Sequence, residues 1–352
     1  MTQASSTFPA VAVVILNWNG QHWLERFLNG VLATPYPNLQ VVVGDNASTD
    51  NSIAYLKANF PQITIIQNDT NYGFAEGYNK VLKHIKADYY VLLNSDVEVK
   101  GDWISPVIRE MDANPAIAAA QPLFILQTNP EFLEYSGAAG GFMDKYGYMF
   151  CQGRIFHHLE KEEGQFPQSK EIFWACGACL FIKSKAFWEM EGFDADFFAH
   201  QEEVDLCWRL KNAGYQVWYS ANSKVWHVGG GMLPPSNPFK TFLNFRNSLF
   251  LLYKNLPQQH FHYRLFLRLV LDGIAGIKFL TEGKWKETLA IIKAHRAFFK
   301  AIPQLKVKRN NSIKKVAPEQ MAGFYNRSII VDFYFKKKNT FSQLNPKQFY
   351  KP

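Results

Sequence analysis

Val11-Ala12-Val13-Val14-Ile15-Leu16-Asn17-Trp18-Asn19-Gly20 decides the fold. Six apolar residues run without a break, and polar residues with a glycine follow. A run of that length is what a strand covered on both faces requires. Gln21–Leu32 comes next, with Trp23/Phe27/Val31 and Leu24/Leu28/Leu32 at i+4 spacing, which gives one apolar helix face closed off by Pro35 and Pro37. The unit then repeats. Leu39–Val43 reads as a strand, and a helix capped by Ser48 or Thr49 runs to Asn59. Ile63–Ile66 is a strand, Phe74–Lys86 a helix with Tyr78, Val81, Leu82 and Ile85 inward, and Tyr89–Leu93 a strand. This alternation predicts βαβ crossovers and a mostly parallel sheet flanked by helices.

Open parallel sheets bind ligands beyond the carboxyl ends of their strands. Here those ends read Asn17-Trp18-Asn19, Gly44-Asp45-Asn46, Asn68-Asp69 and Asn94-Ser95-Asp96. Asp45 ends the second strand, where a dinucleotide-binding fold places a ribose-binding acid. Yet Asn17-Trp18-Asn19-Gly20 is no glycine fingerprint, and no Walker-type loop is present. A bound diphosphate therefore needs another countercharge, and Mg²⁺ or Mn²⁺ supplies one through oxygen ligands. Asp96, at the mouth of the strand Val91-Leu92-Leu93, is the candidate anchor; the alternative is a plain polar turn. Glu98 is a candidate supporting ligand.

Past Asp96 the pattern becomes α+β. Trp103–Met111 reads as a helix, Ile117–Gln121 as a strand, Ser136–Gly153 as a Gly- and aromatic-rich loop, and His157–Lys170 as a polar surface loop. Phe173–Lys183 reads as a buried strand, Glu202–Ala213 as a helix, and Val217–Tyr219 and Lys224–His227 as short strands. Glu202, Glu203 and Asp205 open their helix together. A helix N-terminus favours acids, but three neighbouring carboxylates also raise one another's pKa toward that of a useful base. His227 precedes Gly229-Gly230-Gly231 and is a metal ligand, a diphosphate contact or a structural residue. Cys176 and Cys179 have half-zinc-site spacing, but no second pair follows, and a buried strand with free thiols is the stronger reading.

The 352 residues are 47% hydrophobic, enough for one large domain with an extension. Met1–Pro9 lacks a signal-peptide pattern, and the longest apolar stretch, Leu265–Leu280, is broken by Arg268, Asp272 and Lys278. A cytoplasmic protein is the expectation. The charge is divided: residues 1–239 carry 16 Lys and Arg against 25 Asp and Glu, while residues 240–352 carry 22 against 5. In that basic third, aromatics such as Phe266, Trp285, Phe299, Tyr334 and Phe335 lie among the cations. Such a mixture suits a peripheral contact with an anionic membrane surface, or a solvated basic helix face. The acidic body argues against nucleic acid.

The motifs also occur in a telling order. They are Val13 to Gly20, Asp45-Asn-Ala-Ser-Thr-Asp50, Asn71 to Asn79, Leu92 to Val99, Gly177 to Ile182, Gly192-Phe-Asp194 and Glu202 to Arg209. This resembles the family 2 glycosyltransferases, in particular the rhamnosyltransferase-like branch, over about residues 10–255 and including Arg246-Asn247. The resemblance implies a Rossmann-like GT-A fold, with a nucleotide-binding half at about 10–100, an acceptor half at about 101–239, and a basic, mainly helical extension over 240–352. It implies an inverting transfer from a nucleotide-sugar such as dTDP-rhamnose or a UDP-sugar to a glycan or lipid-linked acceptor in cell-surface polysaccharide synthesis. By position, Asn17, Asn19, Asp45, Asn71, Asn94 and Asp96 would face the donor. Asp96 matches the last residue of the metal motif, whose first is Asn94 here. Glu203 occupies the place of the base, with Glu202 and Asp205 beside it, and His227 matches a histidine near metal and diphosphate. The rival readings are a sugar nucleotidyltransferase, which would show a basic Gly-rich loop after the first strand, and a binding module without turnover.

Overall fold

The computed structural model describes residues 8–229, 237–312 and 316–350. Gly230 and Gly231 of the glycine-rich stretch lie outside them. The first half alternates as its periodicity requires: β1 (Val11–Asn17), α1 (Gln21–Leu32), β2 (Leu39–Asp45), α2 (Ser52–Asn59), β3 (Thr64–Gln67), α3 (Gly73–Leu82) and β4 (Tyr89–Leu93). Every residue of β1 and β4 is buried, which accounts for their unbroken apolar runs. α2 begins later than Ser48 or Thr49, at Ser52, because Asp50 accepts its amide at 3.0 Å.

The second half adds β5 (Val97–Glu98), α4 (Ser105–Ala113), β6 (Ile117–Leu126), β7 (Gly141–Asp144), β8 (Met149–Cys151), β9 (Arg154–Ile155), β10 (His158–Leu159) and β11 (Lys170–Ile172). β12 (Cys179–Lys183), α5 (Ser184–Glu189), α6 (Glu202–Asn212) and β13 (Gln216–His227) follow. The central sheet runs β11-β13-β6-β12-β4-β1-β2-β3, with β5 on β13. β3, β2, β1 and β4 are parallel, but β12 is antiparallel to both β4 and β6, so the whole sheet is mixed.

Three expected elements differ. Phe173–Lys183 enters the central sheet only from Cys179. Val217–Tyr219 and Lys224–His227 are one strand, whose register shifts between Ser220 and Lys224 where Ala221, Asn222 and Ser223 form a bulge. The expected loop at Ser136–Gly153 carries β7 and β8 of a second sheet, β10-β9-β8-β7-β14, and His158–Leu159 adds β10. Strands of two to four residues are too short to show a period of two.

β14 (Phe324–Tyr325) comes from the far end of the chain, after α7 (Pro238–Asn255), α8 (Phe261–Thr281) and α9 (Trp285–Asn311). It pairs in parallel with β7. Phe142, Phe150, Tyr325, Phe341 and Phe349 close an aromatic cluster over this join. Gly323 makes the approach possible: its φ is +82°, and a Cβ there would fall 2.1 Å from the Phe173 amide nitrogen. Gly283 has a similar φ of +74° with open space around it. Gly323→Ala is therefore expected to cost about 2–4 kcal/mol, against about 1 kcal/mol for Gly283→Ala. Equal melting temperatures of the two variants would show that the join is not under that constraint.

Candidate active site

The polar strand ends meet on one rim of the sheet. Asn17 Nδ2 donates to Asp45 Oδ1 and to Ser48 Oγ, each at 3.1 Å, and the Ser48 amide donates to Asp45 Oδ2 at 3.0 Å. A side chain at Gly20 would lie 2.6 Å from Asn17 Oδ1 and 3.5 Å from Ser95 Oγ, so the ends of β1 and β4 converge there. Asn19, at φ 51°, turns its Oδ1 to the amides of Thr49 and Asp50 at 2.7 and 3.2 Å and pins the loops after β1 and β2 together. Asn71 Oδ1 accepts from Asn46 Nδ2 and the Gly73 amide, each at 2.9 Å, and so sets the start of α3. Asn94 donates its amide to Ala178 O at 2.9 Å, which ties the end of β4 to the chain entering β12.

Asp96 is buried and belongs to a chain of charges. Its Oδ1 lies 3.2 Å from His227 Nε2, and His227 Nδ1 lies 3.2 Å from Glu134 Oε1. Glu134 Oε2 accepts from the amides of Ser136 and Gly137 at 2.7 and 3.1 Å. β13 brings His227 here by pairing it with Val97 of β5, and the Val228 amide donates to Asp96 O at 3.1 Å. Burial opposes charge on the imidazole, but Glu134 and then Asp96 outweigh it and push the pKa up to about 10. Burial likewise works to raise the Glu134 pKa, yet the His227 charge and the two amides hold it below the ordinary value. Glu98 stands apart from this group, 2.9 Å from Lys100 Nζ and 3.2 Å from Gln127 Nε2.

The acidic cluster splits in two. Glu203 lies against Gly177, whose Cβ would be 3.7 Å from the Glu203 carboxyl carbon, next to the Ala178–Asn94 bond. Cys176 feels both Glu134 and Glu203, and burial followed by those two charges raises its thiol pKa well above normal. The Glu202 carboxyl is raised by burial and then by Glu203, and burial pushes Glu203 up to about 7. The Oε2 atoms of both, with Asn17 Oδ1 and His200 Nε2, are buried without a hydrogen-bond partner. Buried orphans are uncommon and call for an explanation; others lie away from this rim, at Trp208 Nε1 and Ser220 Oγ. Asp205 corrects the sequence reading. Two residues along the helix turn it about 200° from Glu203, and its oxygens bond Arg209 at 2.8 Å and Lys254 and Asn255 at 2.9 Å. It is a buried structural anchor, beside a cavity of about 500 Å³ behind α6 that holds none of the expected site residues.

The loop before Glu202 is strained. Phe198, His200 and Gln201 have φ of 63°, 70° and 70°, which costs such residues about 1 kcal/mol or more each. α7 holds it: Asn247 Nδ2 lies 3.0, 2.9 and 2.7 Å from the carbonyl oxygens of Phe197, Ala199 and His200, its two hydrogens shared among the three acceptors. Arg246 donates to the carbonyls of Asp196 and Phe197, and Gln201 Nε2 donates to Asn244 O and Ser248 Oγ. Phe198 O in turn accepts the Phe74 and Ala75 amides at 2.7 and 3.1 Å, the first free donors of α3. Lys240 of α7 stands within electrostatic reach of both Glu134 and His200, and burial, then Lys240, lowers the His200 pKa to about 4. Glu134, Lys240 and the role of Asn247 escaped the sequence reading. The available signal was an acid, Glu134, inside the otherwise apolar Phe132–Tyr135. All four cysteines are free and buried.

A Rossmann-like sheet with a polar strand-end rim and a carboxylate helix beside it is the GT-A architecture. Glycosyl transferase family 2 matches residues 12–191, just over half of the chain, and the protein belongs to that family, in its rhamnosyltransferase-like branch. It is similar to the N-acetylglucosaminyl-diphospho-decaprenol L-rhamnosyltransferase of Mycobacterium tuberculosis, at 26% identity over 63% of this chain and 76% of the relative. It is also similar to the rhamnosyltransferase WbbL of Escherichia coli, at 21% identity over 59% and 80%. Among solved structures, GalNAc-T7 with UDP, GalNAc and Mn²⁺ superposes at a TM-score of 0.59 and 14% identity, over 85% of this chain but 58% of that one. Staphylococcus aureus TarS 1-349 with UDP superposes at 0.53 and 14%, over 85% and 83%. At such identity these two establish the fold.

The raised Glu203 pKa has a consequence for stability. Between the ordinary 4.5 and about 7 the folded chain keeps a proton that the unfolded chain releases, so stability falls as pH rises through that window. Glu203→Gln removes the penalty. It is expected to melt higher than the wild type at pH 8, by on the order of 2 kcal/mol, and to match it at pH 4. Melting curves whose difference does not change with pH would contradict the burial of this carboxyl.

Proposed function

We propose that this protein is an inverting, metal-dependent glycosyltransferase that uses Glu203 as base. The observation that carries the reading is the rim itself. A carboxyl with a pKa near 7 lies beside Gly177 and the Ala178–Asn94 bond, and Asp96, paired with His227 and Glu134, lies two residues beyond Asn94. Glu203 accepts the proton of an acceptor hydroxyl, and that oxygen attacks the anomeric carbon opposite the diphosphate in a single displacement. Asn17 and Asp45 face the base or ribose of the donor, where the orphaned Asn17 Oδ1 awaits a donor hydrogen. Asn94 lies between them and Asp96.

The side chains present fit a hard divalent cation. Asp96 Oδ1 and His227 Nε2, once the imidazole gives up the proton its raised pKa retains, would hold it, with Glu134 Oε1 3.2 Å from Nδ1 and placed to orient the ring, as carboxylates behind metal-bound histidines are. No group of three metal-ligating side chains is gathered among the described residues, so oxygens of the donor's diphosphate would have to supply the remaining ligands. Bound there, Mg²⁺ or Mn²⁺ stabilises the charge of the departing diphosphate. Relatives named as rhamnosyltransferases support dTDP-rhamnose over a UDP-sugar and a lipid-linked acceptor over a free glycan, in cell-surface polysaccharide synthesis. Residues 1–239 form the catalytic domain in this reading, with 240–352 as an extension whose α7 clamps the catalytic loop. The enzyme works from the cytoplasm, at the inner face of the membrane. No helix among the described residues is long and apolar enough to cross one.

A panel of nucleotide-sugars with Mn²⁺ tests the activity. One donor is expected to raise the melting temperature and release nucleoside diphosphate, and EDTA to abolish both. A panel without any shift or release sinks the enzyme reading, and an EDTA-insensitive response sinks the metal. Glu203→Gln is expected to lower kcat by about 10²–10⁴-fold while the donor-induced shift survives. The wild-type rate should rise with pH to a plateau above about 7, since the base must be ionised. A flat profile from pH 5 to 8 would assign the base elsewhere.

A further inference from the structure

α8 is built inside out. Its buried positions include Arg264, Arg268 and Asp272. Its solvent face carries Tyr263, Phe266, Val270, Ile274, Ile277 and Leu280, with Phe266 63% and Ile277 64% exposed. A helix facing water has the opposite arrangement. The inward charges are matched. Arg268 Nε lies 2.7 Å from Asp272 Oδ1, its guanidinium donates to Gly147 O at 3.2 Å, and Asp272 Oδ2 lies 3.4 Å from His295 Nε2 of α9. Arg264 pairs with Glu319. The bonds that reach other elements, to Gly147, His295 and Glu319, fix the rotation of α8 and hold its apolar stripe outward.

α9 continues the pattern. Trp285, Leu289, Ile292 and Phe299 are exposed at helical spacing. Around both stripes stand the exposed cations Lys278, Lys284, Lys286, Lys293, Arg296 and Lys300. Phe335, 78% exposed, extends the apolar surface beside Lys336 and Lys337. We infer that the α8–α9 hairpin is the surface by which this protein lies on an anionic bilayer, with its apolar residues at the acyl boundary and its lysines among the headgroups.

Charge decides the occupant. A second copy would bring two basic thirds together, each with 22 cations against 5 anions, and like charge at contact distance opposes that. Glu282 already meets Lys278 and Lys284, but a neutral protein partner brings no anion for Lys286, Lys293, Arg296 and Lys300. Anionic headgroups complement both the stripe and the ring. With charges along its inner face, and no helix among the described residues able to cross, α8 lies in the interface plane. The inference sharpens the membrane part of the functional reading and is independent of the transfer chemistry. A groove at the hairpin turn, between Phe279 and Trp285 on one side and Pro238 and Thr241 on the other, brings the start of α7 to the same surface. Lys240, between Pro238 and Thr241, feels the charge of Glu134.

Flotation of the full chain with vesicles tests this. Binding is expected to phosphatidylcholine vesicles containing about 30% phosphatidylglycerol, at least about ten-fold stronger than to phosphatidylcholine alone. About 0.5 M NaCl should remove most of that preference. Phe266→Glu with Ile277→Glu should weaken binding about ten-fold or more, with the melting temperature and the donor-induced shift unchanged. Lys286→Glu with Lys293→Glu should lose the anionic preference selectively. The inference is overturned if the wild type stays unbound at low salt, or if the apolar double variant floats as the wild type does. A lipid-free dimer that the same double variant dissociates, without vesicle binding, overturns it in favour of a second copy. The donor-induced shift is read separately, so a failed donor reading leaves the flotation result intact.

Discussion

Three carbonyls converge on one amide nitrogen and share its two hydrogens, and the placement of Glu203 depends on that convergence. Asn247 Nδ2 gathers the Phe197, Ala199 and His200 carbonyls onto α7. Without it the left-handed turn through Phe198, His200 and Gln201 has little reason to persist. The turn has two outputs. Phe198 O closes the open amides of α3, and Gly73, with no side chain, leaves room for the Phe198 ring. Gln201 then starts α6 in the direction that lays Glu203 against Gly177. α7, through Asn247, thus sets the position of Glu203, and the central sheet and the C-terminal helices are tied together at that loop.

Two buried carboxylate groups show opposite electrostatic solutions. Glu134 and Asp96 bracket His227, and their charges are compensated by the imidazole and by backbone amides. Glu202 and Glu203 have no cation of that kind and meet burial by keeping protons. The pair titrates as a unit, so the value near 7 belongs to the two together. Asp205, three residues from Glu202, follows the first solution through Lys254 and Arg209. Environments that drive neighbouring acids apart are how one cluster supplies both a structural ion pair and a group able to take a proton near neutrality.

The first hundred residues were legible because each strand is long, buried on both faces and followed by an amphipathic helix, so period and order agree. Polar residues at the ends of those strands could then be placed on one rim before any coordinates. β7 to β10 and β14 escaped because two to four residues carry no measurable period, and β14 pairs with β7 from the far end of the chain. The bulge at Ala221–Ser223 split β13 into two apparent strands. Asp205 looked equivalent to Glu203 because spacing within Glu202–Asp205 says nothing about which side of the helix meets Gly177 and which meets Lys254. Glu134 was hidden for a related reason: its partner His227 is distant in the chain, and only the sheet brings them together.

The basic third posed a different ambiguity. Cations interleaved with aromatics fit either a solvated helix face or a lipid surface, and composition cannot separate them. Rotation does. Had Arg264, Arg268 and Asp272 pointed to water, the apolar stripe of α8 would have filled a core and the ordinary reading would stand. Instead Gly147 O holds Arg268 inward, His295 of α9 meets Asp272, and Glu319 meets Arg264. The free energy of pairing those charges is what keeps Phe266 and Ile277 in solvent. A packing arrangement that spends buried ion pairs to display apolar side chains has a purpose only when something other than water covers them, and the surrounding cations state the charge of that cover.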